Sequence, residues 1–416
     1  MIKTLALQNA TVIDCTGRDP YSNATVIIED GRILKVGGGS SVTTPRNAQL
    51  IDLAGKVVMP GLVDCHTHLG MPDPDVPGLP TASDQHPGAT YAFYVAEQIS
   101  QCLTEGFTTV RDAGQTDWSF KLASQSGRIR GPRMFLSNGW ISQTGGHGDW
   151  RARNNRSAPK SEHVLAPAPG VRDGVNQVRK NAREQLRTGA DQLKLMAGGG
   201  ISSPTSQMDV PQFTLEELAA AVYEAKVVNK HCMAHVFMPE AIINCAKAGI
   251  LSVEHGIFLD EESARAMRDN GMYLVPTLTV LQRHLQRARE GTSPEYMRQK
   301  VALVGGAAEE AIRIAMAEGV PVASGSDVYG RTAPNKAWEL ELKAKIMGPM
   351  ASLISATKTS AELLRISDQI GTIETGKSAD LIVLDFNPLD DIRFFSESHH
   401  IRMVIQNGRI VKNLTV

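Results

Sequence analysis

The chain has 416 residues, too many for one small core and enough for a barrel with additions or two ordinary domains. With 42% hydrophobic and 21% charged residues it has the make-up of a folded protein, which excludes global disorder. Its 43 Lys and Arg against 44 Asp and Glu leave a net charge of -1, so no overall field attracts nucleic acid or an anionic membrane, and neither is expected as a partner.

The opening residues MIKTLALQNATVIDC alternate like a strand and lack an apolar stretch ending in a small-residue cleavage site. No secretory signal is expected there, and a cytoplasmic location is. Residues 4–58 read as short β segments, with an Asp30-Gly31-Arg32 hairpin turn between β-branched runs. Eight apolar runs then follow: GLVDCHTH (61–68), FTTVRDAG (107–114), RMFLSNGW (133–140), ADQLKLMAGGG (190–200), HCMAHVF (231–237), LSVEHG (251–256), MYLVPTLT (272–279) and VPVASGSD (320–327). Helical patterns such as TLEELAAAVYEAKVVNK fill the gaps, and eight β runs alternating with helices predict an α/β fold, a (β/α)8 TIM barrel. A doubly wound open sheet is the alternative, but no GxGxxG follows the first run. No run of about 18 apolar residues occurs, so a membrane-spanning helix is not expected.

Two long loops, 69–90 and 141–171, read as lids or substrate walls. Residues 371–416 resemble the opening ones and carry their own turn, Asn407-Gly408-Arg409. Neither end is long enough to bury a strong core alone. We therefore expect residues 1–58 and 371–416 to pair into one composite β-sandwich domain, with the barrel over 59–370. The five cysteines (Cys15, Cys65, Cys102, Cys232 and Cys245) are odd in number, lie in apolar runs and form no CxxC pair, so they read as buried thiols.

The polar residues of the eight runs gather at their C-terminal ends, which in a barrel line one mouth. In chain order they are His66, His68, Lys194, His235, His255 and Asp327. His66 and His68 alternate along one run and point to one face, where they can chelate one ion. Four imidazoles and a carboxylate suit a borderline divalent metal such as zinc. Lys194 sits in the apolar run QLKLM, where a buried ammonium is costly. A neutral amine there can add CO2 and become a carbamate, an anion able to bridge two metal ions.

On these residues the chain resembles the amidohydrolase superfamily. VMPGLVDCHTHLG (58–70) is similar to its metal-binding signature. The lysine of the fourth run, the histidines of the fifth and sixth and the aspartate of the eighth match its binuclear pattern. The closing residues Gly371, Ile373, Gly376, Ala379 and Asp380 to Asp385 fit its composite β-domain. TGGHGD (144–149) and VEHG (253–256) resemble the imidazolonepropionase-like branch, which includes metal-dependent dipeptidases and amidases that cleave N-acyl amino acids such as ochratoxin A.

The resemblance implies two divalent ions, zinc the first choice over manganese or cobalt. His66, His68 and Asp327 would hold one, His235 and His255 the other, and carboxylated Lys194 would bridge them. It implies a water activated between them as nucleophile, Asp327 as its proton acceptor, and His147 as a contact to the developing oxyanion or the substrate. Some dipeptidases of the branch carry Tyr where Phe237 stands here. That moves the expected contact to the substrate carboxylate onto Arg151, Arg153 or Arg156. Phe237, Met238 and Trp150 are candidates for an apolar pocket, and Gly198-Gly199-Gly200 for a tight loop that lets substrate approach the backbone. His86, His163, His231, His284, His399 and His400 read as structural or surface groups.

The expected function is hydrolysis of a linear amide or peptide bond in a small molecule, releasing a C-terminal amino acid. An ochratoxin-like amide is one candidate, and a cyclic amide hydrolase is the rival enzyme. A mononuclear deaminase fits Lys194 poorly, and a barrel that has lost catalysis fits poorly because no ligand is missing. Homo-oligomers are expected from the resemblance.

Overall fold

The computed structural model describes residues 4–71, 88–151, 153–157, 170–330 and 335–415. His86, His163, most of the 69–90 loop and part of the 141–171 loop lie outside the described residues.

Both ends of the chain build one eight-stranded sheet. Its order is Arg409–Asn413, Ile401–Gln406, Leu381–Leu384, Val57–Pro60, Leu5–Val12, Tyr21–Glu29 and Arg32–Gly38, with Gln49–Asp52 also paired to Leu5–Val12. Strand Leu5–Val12 is shared: Leu5 to Gln8 pair with Gln49 to Asp52, whereas Thr11 and Val12 pair with Val57 and Val58. The sheet therefore divides at that strand. Side chains on the late strands alternate between two cores. Leu381, Val383, Met403 and Ile405 pack with Leu7, Val26 and Val58. Ile382, Leu384 and Val404 pack with Tyr91, Val95 and Ile99 of helix Gly88–Thr104.

The two sequence-similar turns meet. Asp30 and Gly31 (φ 50° and 81°) and Asn407 and Gly408 (φ 47° and 71°) are all left-handed, as a two-residue hairpin turn requires. A Cβ on Gly408 would lie 2.5 Å from the Cα of Gly31, so only glycines allow the turns to touch.

The middle of the chain forms two parallel sheets. One contains Leu62–Thr67, Phe107–Asp112 and Arg133–Leu136. The other runs Gly170–Val171, Trp140–Ser142, Gln192–Met196, His231–Val236, Ser252–His255 and Tyr273–Val275. Helices cover the sheets, and most of these strands are buried along their whole length, as parallel strands covered on both faces are. The expected third run is broken in two. Asn138 adopts φ 58°, a left-handed state that Asn tolerates, and ends Arg133–Leu136 before Trp140–Ser142 begins. The eighth run forms isolated bridges instead of a full strand. Val322 bridges to Leu274 and Val328 to Thr67, while the Cys65 N–H donates to Ser324 O at 2.7 Å. At the opposite seam the Asp191 N–H donates to Leu136 O at 2.7 Å.

All five cysteines are free and buried, as expected. Among the described residues no helix is long and apolar enough to cross a membrane.

Candidate metal centre

His66 lies near the end of Leu62–Thr67 and His68 just beyond it. Their rings are 5.4 Å apart, and their Nε2 atoms lie 3.6 and 3.3 Å from Asp327 Oδ1. Asp327 is brought there by its own N–H, which donates to His66 O at 2.7 Å. Lys194, 1% exposed, comes from the centre of Gln192–Met196 and places Nζ 3.4 Å from His66 Nε2. His235 and His255 end adjacent strands, with ring centroids 4.5 Å apart.

Strand alternation alone would send His255 away from this centre, because its neighbour Glu254 already points inward. His255 escapes it with φ 73°, and Asp327 has φ 54°; both are left-handed conformations that non-glycine residues rarely adopt. Such strain survives where the surroundings over-determine it, and functional sites are where it clusters.

Each imidazole has one nitrogen fixed by an outer partner. His66 Nδ1 donates to Glu254 Oε2 at 2.6 Å, His68 Nδ1 to Gly114 O at 3.0 Å and His235 Nε2 to Gly199 O at 3.0 Å. His255 Nδ1 shares a 2.6 Å hydrogen bond with Thr277 Oγ1. In His66, His235 and His255 the second nitrogen is left free to keep a lone pair, which is how metal-ligating histidines are held. Burial pushes His255 down to about 3 and His66 and His235 well below the usual imidazole range. These rings are neutral, the ligating form. His68 moves the other way: burial lowers it, but its hydrogen bond to Asp327 and that carboxylate's charge outweigh burial. Burial also pushes the Lys194 amine down to about 8, against the pull of Glu254 and Asp327. Ligand atoms of His66, His255 and Asp327 lie within 4.8 Å of one another, so the donor set fits a divalent ion.

The six expected ligands, with His147 and Phe237, line one cavity that opens to solvent. His147 stacks on His235 at 4.1 Å, and its N–H donates to Gln212 Oε1 at 2.9 Å. The Gly-rich loop thus holds His147 firmly, and its buried Nδ1 has no hydrogen-bond partner among the described residues. Gly200 backs this ring: a Cβ there would sit 2.3 Å from His147 Cε1. Phe237 lies between His235 (4.8 Å) and His255 (5.5 Å).

The arginines of the second long loop are not brought to the cavity. Arg151 grips Asp149 with two hydrogen bonds of 2.7 Å, and Arg153 and Arg156 are exposed. Met238 lines a separate surface cleft, and the Trp150 indole donates to His147 O at 3.0 Å. His231 is buried at the start of its strand, and His399 and His400 lie by Glu397 near the surface. His284, read from the sequence as structural or surface, lines the cavity instead.

The sequence reading missed the layer behind the ligands. Glu254 is fully buried and takes hydrogen bonds from His66, from Arg111 Nη2 at 2.9 Å and from Ser252 Oγ at 2.5 Å. Asp64 accepts from the His66 and Ser326 N–H groups and from the Ser326 hydroxyl, joining the first and eighth runs. Asp112 ties Leu69, Gly114 and Thr116 behind His68. Burial pushes Asp64 and Asp112 up to about 6. VEHG contained the Glu254 signal, but only the third dimension brings that carboxylate to a histidine 188 residues away.

The amidohydrolase family model matches residues 57–411. An ochratoxinase from Aspergillus niger is 32% identical over 411 residues, covering 95% of this chain and 84% of that protein. A prolidase solved with N-methylphosphonate-L-proline is 36% identical with a TM-score of 0.92, covering 99% of this chain and 100% of the other. A Xaa-Pro dipeptidase solved with bound methionine is 30% identical with a TM-score of 0.87, also covering 99% and 100%.

Proposed function

We infer that this chain, which belongs to the amidohydrolase family and hydrolyses amide or peptide bonds, releases the C-terminal amino acid of a dipeptide or N-acyl amino acid. The observation that carries this reading is the meeting of His66, His68, Lys194, His235, His255 and Asp327 in one cavity, the histidines each with one nitrogen pinned from behind. The likeness to a prolidase, a Xaa-Pro dipeptidase and an ochratoxinase supports a linear substrate with a free carboxylate. Met71, Met196, Ile201, Ile257, Val280 and Leu281 line the cavity and favour an apolar side chain or aromatic acyl group, as in an ochratoxin-like amide.

Two divalent ions, zinc the first choice, would be held by His66, His68 and Asp327 and by His235 and His255, and when bound would supply a nucleophile from water at neutral pH and polarise the amide carbonyl. Lys194 is the bridging group of this reading: its neutral amine adds dissolved CO2, forms an N–C bond and releases one proton, leaving a carbamate. The low amine pKa, about 8, keeps a neutral fraction available for that step. Asp327 takes a proton from the attacking water on a carboxylate oxygen and passes it to the leaving nitrogen. His147, whose Nδ1 has no partner among the described residues, donates to the carbonyl oxygen as negative charge grows there. Phe237 and the aliphatic wall exclude bulk water.

We read the two parallel sheets and the 320–328 segment as one closed (β/α)8 barrel over residues 59–370. The bridges at Leu274–Val322 and Thr67–Val328 and the Asp191-to-Leu136 bond support closure. Residues 1–58 and 371–416 are then the second domain, a reading supported by their shared sheet.

Purified protein loaded with zinc, manganese or cobalt, offered N-acyl amino acids, Xaa-Pro dipeptides and cyclic imides, tests the proposal. Release of amine from the linear acids, abolished by a chelator and restored by metal, is the expected result. Turnover confined to cyclic imides, or full activity after chelation, overturns it.

A further inference from the structure

Helix Leu278–Arg289 forms one wall of the cavity. Its lining residues, with Thr277 just before it, are Thr277, Val280, Leu281 and His284, the i, i+3, i+4, i+7 spacing of one helix face. Thr277 touches the centre through His255. Seven residues of helix rise about 10 Å, so His284 stands that far along the wall from Thr277. One amino-acid residue spans about 3.5 Å, and a polar contact at each end adds about 3 Å. His284 and the ligands line the same cavity, so a leaving amino acid whose scissile carbonyl sits at the centre extends along this wall toward His284.

The cavity offers a carboxylate few other receivers. Among the described residues its lining holds one Lys or Arg side chain, Lys194, and that amine faces His66. His284 makes no hydrogen bond or ion pair among the described residues. The neighbouring guanidiniums of Arg283 and Arg287 act on it, adding to burial against the pull of Asp327 in pushing its imidazole down to about 4. His284 is thus a neutral donor in a locally positive field. Arg283 itself lies over the Tyr329 ring at 5.4 Å and donates to Tyr329 O at 3.1 Å.

We propose that His284 donates an imidazole N–H to the free carboxylate of the substrate's leaving amino acid and so selects acids over their neutral carboxamides. This rests on the linear amide reading above. In this position a neutral imidazole replaces the arginine clamp expected from the second long loop.

The test compares wild type, His284→Ala and His284→Gln on N-acyl phenylalanine and its carboxamide. Wild type should prefer the acid. His284→Ala should lose tenfold or more in kcat/KM on the acid and much less on the carboxamide, with His284→Gln, which keeps an N–H donor, in between. Equal loss on both substrates overturns the proposal. Independently of turnover, titration of metal-loaded protein with L-phenylalanine should shift one imidazole NMR signal that is missing in His284→Ala. A shift that survives in that variant, or no shift in wild type, also overturns it. Wild type inactive on both amides defeats the linear amide reading instead, and the titration still decides the role of His284.

Discussion

Glu254 shows how a side chain outside the ligand set governs it. It fixes the His66 tautomer and is itself neutralised by Arg111, with both groups at 0% exposure. Glu254→Gln should lower metal affinity or kcat/KM about 10–100-fold, the usual effect of removing an outer partner of a ligand. Metal titration and steady-state kinetics check it, and an unchanged value for both counts against the role. Lys194→Ala should lose bound metal and activity, with short-chain carboxylic acids in the buffer restoring part of each; full activity without added acid would end the bridging role. These ligands were legible in the sequence because each is a polar residue set in or at the end of an apolar run, Lys194 in the middle of QLKLM. Glu254 and His284 were not. Glu254 lies next to a ligand, where alternation predicts the opposite face, and His284 lies on a helix whose wall position depends on packing.

That helix needs an anchor, and Glu339 of helix Trp338–Met347 supplies it. Its carboxylate accepts the Leu278 and Thr279 N–H groups at 3.1 and 2.8 Å, capping helix Leu278–Arg289. Thr277 ahead of it is left-handed (φ 53°) and makes no side-chain cap, so Glu339 does that work from another helix. Burial raises the Glu339 pKa, while Lys343 one turn on opposes that shift; Lys343 is fully buried and donates to Ser355 Oγ at 2.5 Å. Glu339→Ala removes the cap and leaves buried donors at the start of this helix unsatisfied, an expected loss of roughly 1–3 kcal/mol. Urea unfolding measures this, and a change below about 1 kcal/mol, within the range of an exposed pair, would show the anchor to be unimportant. Chain-order reading placed most of the β runs but took 320–327 for a full strand and missed the break at Asn138 and the extra strand Gly170–Val171. The latter two depend on a local left-handed residue or a neighbour across the sheet, not on hydrophobic period.

For the molecule as a whole, the similarity of the two ends announced their partnership. The sheet order then joins strands about 320 residues apart at Val57–Pro60 and Leu381–Leu384. Removal of residues 401–416 takes away Ile401–Gln406 and Arg409–Asn413 and uncovers Ile382, Leu384 and part of helix Gly88–Thr104. The truncated chain should aggregate or lose cooperative unfolding, as seen by sedimentation and circular dichroism; a soluble, active 1–400 fragment would contradict this.

The touching turns at Gly31 and Gly408 have a consequence for biosynthesis. Until Leu381–Leu384 has been made, Val57–Pro60 stands with one hydrogen-bonding edge bare. Over those roughly 320 intervening residues the growing polypeptide must keep that edge from pairing with a neighbour, and that interval is when chaperones have most to protect.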